Sequence, residues 1–364
     1  MNDHRDTGSP LPTAAQAISL RDKRLGLVFD EPSPLDASSG FPFPDDATAE
    51  WETRQTVDRV ARAWSSLGME VVLLPLDSRF WGMWEKNYSR LDLVHSLVEG
   101  WGSPSREAWL PAVCELSGVP CVGSPALAQG LAMRKSLLKI LCRELGVPTA
   151  DFHVARTPEE CEGIPERLAT GPCFLKPDCE GSGMGVDASV SLSDDAARTR
   201  VRARSLLSRY PDGVIIEALL PGEELTTALI GSPLRMLPPA RIEVDGGVYG
   251  IANKSKETFG EKVTFPSLAP REARLLEEWS TRLCAAAGFT DFVRLDWKRD
   301  AQGVVTFMEA NPLAGLSHYY SVLPKIAAHA GLPYEDLLAV LGRSALSRSD
   351  DRSLWYGRAR MRRR

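Results

Sequence analysis

The chain has 364 residues, 43% of them hydrophobic and 25% charged, with a formal net charge of -5. Those values describe an ordinary folded protein of two or three domains and argue against a general nucleic-acid or membrane-surface binder. No apolar run reaches the length of a membrane span, residues 1–23 lack a signal-peptide core, and the seven cysteines form no Cys-x-x-Cys pair, which together point to a reducing cytoplasm.

Residues 1–23 are polar and read as a disordered leader. Residues 25–29 read as a buried strand, 48–67 as a helix with apolar positions at Trp51, Val57, Val60 and Trp64, and 70–76 as the next strand. A strand at 91–97, a helix at 107–116 and a short strand at 119–123 continue the rhythm, which predicts a parallel sheet with crossover helices. The texture then changes. A helix is predicted over 131–145, a strand over 173–177, an arginine-rich helix over 194–210 and a buried strand over 213–217. Strands follow at 225–230 and 240–244, a polar loop at 253–264, a helix at 270–287, a hairpin, and two closing helices at 323–330 and 334–341. The basic tail from 347 to 364 reads as flexible. The expected division is 24–122, 123–219 and 220–346.

The hairpin carries the most chemistry. Arg294-Leu-Asp296 lies on one strand and Phe307-Met-Glu309-Ala-Asn311 on the next. Residues two apart on a strand share a face, so Glu309 and Asn311 point together. Mg²⁺ seeks oxygen ligands and takes one or two carboxylates plus substrate phosphates. The plain alternative is a hairpin with a wet polar side, but apolar Phe307 and Met308 favour a buried strand, where an unpaired acid is costly.

Lys176 ends an apolar strand and leads into Glu180-Gly181-Ser182-Gly183-Met-Gly185. Glycines let backbone amides close on an anion, although the order is not that of a Walker loop. A lysine at a buried strand end needs an anionic partner. Lys135 opens a helix, Glu217 ends a buried strand, and Lys254 and Lys256 lie in the polar loop. Loops of that kind serve as lids or as plain surface. His95 reads as structural.

In this order the motifs resemble the ATP-grasp superfamily, specifically its D-alanine–D-alanine ligase branch, with the likeness densest after Gly123. The run Glu309-Ala-Asn311-Pro-Leu-Ala-Gly315 followed by Ser321-Val-Leu-Pro-Lys325 is the most specific part. The resemblance implies an α/β ATP-grasp fold, with a Rossmann-like N-terminal sheet and ATP clamped between two α+β lobes. It implies that Lys135 and Lys176 grip the α- and β-phosphates, with the glycine loop Gly181, Ser182 and Gly183 beside them. Glu180 and Glu217 would line the adenosine pocket, Leu220 would lie near the adenine hinge, and Glu224 would meet the ribose. Lys254 would meet the γ-phosphate. Asp296, Glu309 and Asn311 would hold two Mg²⁺ or Mn²⁺ ions, and Arg294 and the Gly315 amide would steady an oxyanion. Ser321 would lie near the amine substrate's carboxylate, and His318, Tyr319 and Tyr320 fall where the second substrate is read. Partners would be small amino-acid-like molecules, with no nucleic acid or membrane, and the protein a cytoplasmic homodimer.

The N-terminal third departs from the family pattern. Asp30-Glu-Pro-Ser-Pro-Leu replaces the glycine-rich Gly-Gly-x-Ser-x-Glu stretch, leaving Glu50 or Glu52 to take over its glutamate. Glu99-Gly100 and Ser105-Arg106-Glu107-Ala108 fall where the family has His-Gly and Gly-Glu-Asp-Gly, and Arg134 replaces an aspartate. The expected activity is therefore an ATP-dependent carboxylate–amine ligase of specialised metabolism, acting through an acyl phosphate. The alternatives are the cell-wall D-alanine–D-alanine ligase and a non-catalytic ATP-binding protein.

Overall fold

The first core forms because four short apolar strands pair in parallel and must be covered on both faces. β1 (Arg24–Asp30), β2 (Glu70–Leu76), β3 (Leu93–Leu97) and β4 (Cys121–Val122) lie in the order β2-β1-β3-β4. Helices α1 (Arg54–Ser66), α2 (Phe80–Asn87) and α3 (Trp109–Ser117) connect them. The computed structural model describes residues 18–31, 51–100, 102–181, 183–187, 191–244 and 261–350. Core formation starts before residue 24: Leu20 is buried and the Asp22 amide donates to the Gly68 carbonyl.

The helix predicted over 48–67 begins at Arg54. Thr53 caps it, its hydroxyl accepting from the Thr56 amide, so Trp51 and Glu52 precede the first turn. The helix predicted over 131–145 is two helices, α4 (Ala126–Met133) and α5 (Lys135–Glu144), divided at Arg134, which is extended. Asp178 causes the break. Its carboxylate accepts from the Ser136 amide (2.8 Å) and hydroxyl (2.7 Å), and its carbonyl accepts from the Lys135 amide. A buried carboxylate thereby satisfies the free amides of the α5 N-terminus. It also ties the helix that carries Lys135 to the strand that carries Lys176.

The second sheet contains β5 (Phe152–Ala155), β6 (Cys173–Pro177), β7 (Leu192–Ser193) and β8 (Val214–Ala218), antiparallel in the order β5-β8-β6-β7. The short helices α6 (Pro158–Glu162) and α7 (Glu166–Ala169) and the long α8 (Ala196–Arg209) pack on it. The third sheet is built from β9 (Glu224–Gly231), β10 (Arg235–Met236), β11 (Ala240–Val244), β12 (Glu261–Thr264), β13 (Asp291–Arg299) and β14 (Val305–Asn311). Its order is β12-β11-β9-β13-β14, with β10 beside β9. β12 falls inside the segment predicted as loop; residues 245–260, with Lys254 and Lys256, lie outside the described residues, as do Glu50, Ser182 and the tail from 351.

Helix α9 (Pro270–Ala287) has proline at its first turn and ends on left-handed Gly288, the order helix termini prefer. After α10 (Val322–His329), α11 (Tyr334–Asp350) runs nine residues past the predicted end at 341. The reason is burial: Ala345 and Leu346 join the core, and Arg348 reaches Asp291 at 2.6 Å. Asp291, fully buried with φ 61°, also accepts from the Gly123 amide and the Ser344 hydroxyl, so one carboxylate joins the first sheet's end, β13 and α11. Arg348→Ala leaves that charge without its cation. The expected loss is about 3–5 kcal/mol, read as a lower urea midpoint.

Candidate active site

Between the second and third sheets lies a cavity of about 530 Å³. Lys135, Lys176, Asp296 and Glu309 all line it, together with Glu180, Gly181, Gly183, Glu217, Leu220 and Glu224. Residues predicted from four separate segments are thus brought to one cleft. Apolar residues line it as well, namely Phe174, Met184, Leu192, Leu219, Ile242 and Met308. A cavity that combines apolar lining with paired charges suits a ligand with an apolar base and a phosphate tail.

The charges form a ladder. Lys139 lies 2.5 Å from Glu217, Glu217 3.2 Å from Lys176, Lys176 3.4 Å from Glu309, and Glu309 3.7 Å from Lys135. Burial works against the Lys176 ammonium, yet Glu217 and Glu309 outweigh it and raise its pKa above the usual lysine value. Burial likewise opposes ionisation of Glu309, but Lys176, Lys135 and Arg294 pull its carboxyl down to about 2. Glu217 is held below the usual carboxylate range against burial by Lys139 and Lys176.

The sequence does not single out Lys139. It is 0% exposed, and its ammonium faces Glu217, the Thr149 hydroxyl (3.1 Å) and the Phe307 carbonyl (3.3 Å). Burial lowers its pKa, with Glu217 opposing. The available signal was spacing: Lys135 and Lys139 are one helical turn apart on one face.

The predicted hairpin forms, and its register places Arg294 opposite Asn311 and Asp296 opposite Glu309, with a bulge between Asp296 and Trp297. The bulge is informative. Strict alternation would put Phe307 on the face of Glu309; instead Phe307 is fully buried while Met308 and Glu309 both line the cavity. Asp296 accepts from Thr226 (2.7 Å), from Arg294 (2.8 Å to its Nη2) and from the Asn311 amide (2.8 Å). Neighbouring Glu224 pairs with Lys298 at 3.6 Å; burial pushes its carboxyl up to about 7, with Asp296 and Glu309 adding to the rise and Lys298 opposing it.

Glu180 lines the cavity, but its carboxylate faces Arg106 at 3.0 Å, a partner the sequence did not indicate. Its carbonyl accepts from the Lys135 ammonium.

A second cluster gathers around Gly315. A Cβ there would lie 2.7 Å from the Ser321 hydroxyl, which it would displace, and in ordinary contact with Glu52 at 3.7 Å. Ser321 accepts from the Ser317 amide (3.0 Å), and the Tyr320 hydroxyl donates to Glu52. Burial, then Glu52, raises the Tyr320 pKa. Of the two candidate glutamates the structure places Glu52 beside Gly315 and Ser321. His318 is exposed and packs edge-on against Tyr319 and Tyr334, with ring centroids 5.8 and 4.9 Å away. His95 is fully buried, accepts from the Trp64 indole at 2.9 Å, and is pushed down to about 3 by burial, as a structural neutral histidine should be.

A cavity of about 530 Å³ between two helix-covered antiparallel sheets, bordered by a carboxylate–amide hairpin, is the arrangement of an ATP-grasp ligase. Residues 141–341 match the family model for the D-Ala–D-Ala ligase C-terminus. The chain is 32% identical over 237 residues to the D-alanine–D-alanine ligase of Chromohalobacter salexigens, covering 65% of this chain and 73% of that one. It is 31% identical over 255 residues to a Streptomyces coelicolor protein with the provisional name D-alanine–D-lactate ligase, covering 68% and 70%. In fold it is similar to the D-alanine–D-alanine ligase of Bacillus anthracis in complex with ATP, with a TM-score of 0.71, 19% identity, and coverage of 90% of this chain and 99% of that one. The chain belongs to the D-alanine–D-alanine ligase family and is an ATP-dependent C–N bond-forming ligase.

Proposed function

We propose that this ligase joins two D-alanine-like acids, with D-alanine itself the first substrate to test. The names of the relatives and the place of Glu52 beside Gly315 support this over a role in specialised metabolism. The observation that carries it is the meeting of Lys135, Lys176, Asp296 and Glu309 in one cavity.

A carboxylate is a poor acyl donor because its charge repels nucleophiles and oxide leaves badly. Attack of one carboxylate oxygen on the γ-phosphorus of ATP expels ADP and gives an acyl phosphate. The amine of the second molecule then attacks the acyl carbon, loses a proton and expels phosphate. Lys135, Lys176 and the loop amides of Gly181 and Gly183 would hold the phosphate tail, and Ser182 and Lys254 are assigned beside it by the resemblance alone. Glu217, Leu220 and Glu224 would face the nucleoside. Glu52, held by Tyr320, would take the first ammonium, and Ser321 the second substrate's carboxylate. Arg294 and the Gly315 amide would face the charge developing on the acyl oxygen. His318 is exposed, and its place near the second substrate rests on the resemblance alone.

Asp296, Glu309 and Asn311 offer an all-oxygen donor set on adjacent strands, and side-chain cations lie against both carboxylates. That set fits the two Mg²⁺ or Mn²⁺ ions which the resemblance implies. Such ions would supply neutralisation of the phosphate oxygens. The cytoplasmic setting and the homodimer rest on the resemblance; no helix among the described residues is long and apolar enough to cross a membrane.

The test is ADP release with Mg·ATP and D-alanine alone, beside D-alanine with D-lactate and pairs of L-amino acids, with products identified by mass. D-alanine alone should release ADP and yield the dipeptide. ADP release only with a different acid would remove D-alanine from the proposal.

A further inference from the structure

We infer that Arg106 is a positioning residue that latches the phosphate loop onto the lobe carrying Glu52, and so sets the affinity for the nucleotide's phosphate tail. The inference rests on the reading that the cavity takes a nucleoside triphosphate.

Arg106 begins a short 3₁₀ turn, Arg106–Ala108, that follows β3 and belongs to the first lobe. A surface arginine there would be ordinary; this one is 2% exposed. Taking a guanidinium out of water costs several kcal/mol, roughly, unless its donors are met. Among its acceptors are two in the other lobe, the Glu180 carboxylate at 3.0 Å and the Cys179 carbonyl at 3.1 Å.

Glu180 is the residue that opens the glycine loop. Arg106 holds its side chain while Lys135 donates to its carbonyl. Gly183 and Gly185 follow with φ of 75° and 69°, while Met184 is buried in the second core and Gly185 packs against Tyr210 and Pro177, so packing fixes the far end of the loop and Arg106 acts on its near end at Glu180. Backbone amides grip an anion only if their directions are fixed beforehand. The grip on Glu180 supplies that fixing at the near end, from outside the loop.

The other end of the latch leads to the first-substrate glutamate. A Cβ on Gly100 would lie 3.0 Å from the Cβ of Arg106, so this backbone packs directly on the arginine. The Glu99 and Gly100 amides donate to Asp30 at 2.8 and 3.1 Å, and the Trp51 indole donates to the Gly100 carbonyl at 3.2 Å. Trp51 adjoins Glu52. Contacts therefore run unbroken from Glu52 through Trp51, Gly100 and Arg106 to Glu180 and Lys135. Coupling between sites is carried by such packed and hydrogen-bonded networks.

The experiment measures calorimetric affinity for the magnesium complex of β,γ-methylene-ATP and for AMP. The proteins are the wild type, Arg106→Met, Glu180→Gln and the double variant. AMP shares the base, ribose and first phosphate and lacks the tail. Each single change should weaken the triphosphate about tenfold, the double change should be no worse than the weaker single one, and AMP affinity should stay within about twofold. A folded Arg106→Met protein with wild-type triphosphate affinity overturns the inference. So does an equal loss for AMP, which marks a merely structural role. Glu180→Gln removes the ion pair at constant size, so it tests the same contact should Arg106→Met fail to fold, and wild-type triphosphate affinity there overturns the inference equally. A wild type that binds neither nucleotide defeats the nucleotide reading first, and the latch with it.

Discussion

Lys176→Met is expected to lower ADP formation by about 10²–10³-fold, the scale for removing one preorganised donor from a water-poor site. Lys176 is the middle rung of the ladder, within 3.4 Å of both Glu217 and Glu309. Without it each acid keeps one cation, Lys139 for Glu217 and Lys135 for Glu309. The change should therefore cost stability as well, toward the lower end of about 3–5 kcal/mol for a broken buried pair. The pH dependence identifies the cause. The Glu309 carboxyl is depressed from 4.5 to about 2, so its contribution is present above 4.5 and is lost as pH falls through 2. The stability gap between wild type and Lys176→Met is thus full near neutral pH and narrows as the solution is acidified below 4.5. Urea unfolding at about pH 7 and about pH 3 checks it. A gap independent of pH would assign the loss to packing of the lysine stem.

Much of the site was legible because strand periodicity and strand ends are local properties. That Asp296 and Glu309 lie on adjacent strands of one hairpin follows from two short runs of sequence, and α9 could be bounded from proline at one end and glycine at the other. What stayed hidden depends on distant partners. The break at Arg134 is made by Asp178, 42 residues beyond Ser136, and the length of α11 by the pairing of Arg348 with Asp291. The bulge at Met308 that separates Phe307 from Glu309 is a register property of two strands and leaves no mark on either alone. Arg106 looks like any charged residue in a turn until Glu180 is seen beside it. Glu52 was one of two candidates, and only the cap at Thr53, which ends the segment before the helix, orders the chain around it. The resemblance supplied roles, and the structure supplies the neighbours on which those roles depend.

Asp296→Asn should lower kcat by about 10³-fold and raise the Mg²⁺ concentration needed for half-maximal rate, since metal neutralisation of a phosphoryl oxygen is worth several kcal/mol, roughly. Asparagine preserves the shape and one acceptor oxygen, so Thr226 can keep its bond and β13 its register. What changes is charge. Arg294, held to Asp296 through two nitrogens, loses that anion, and its charge then acts on the nearby Glu309 carboxylate without it. The two proposed functions of this strand then separate by experiment. If Asp296 serves as a metal ligand, excess Mn²⁺ should recover part of the rate, because the amide oxygen still coordinates, though weakly. If its only task is to aim Arg294, metal concentration should have no effect, and Arg294→Lys should reproduce the defect. The same titration on Glu309→Gln carries a further signature. That change also strips a partner from Lys176 and Lys135, so metal rescue should be accompanied by an altered KM for ATP, which Asp296→Asn should leave nearly unchanged.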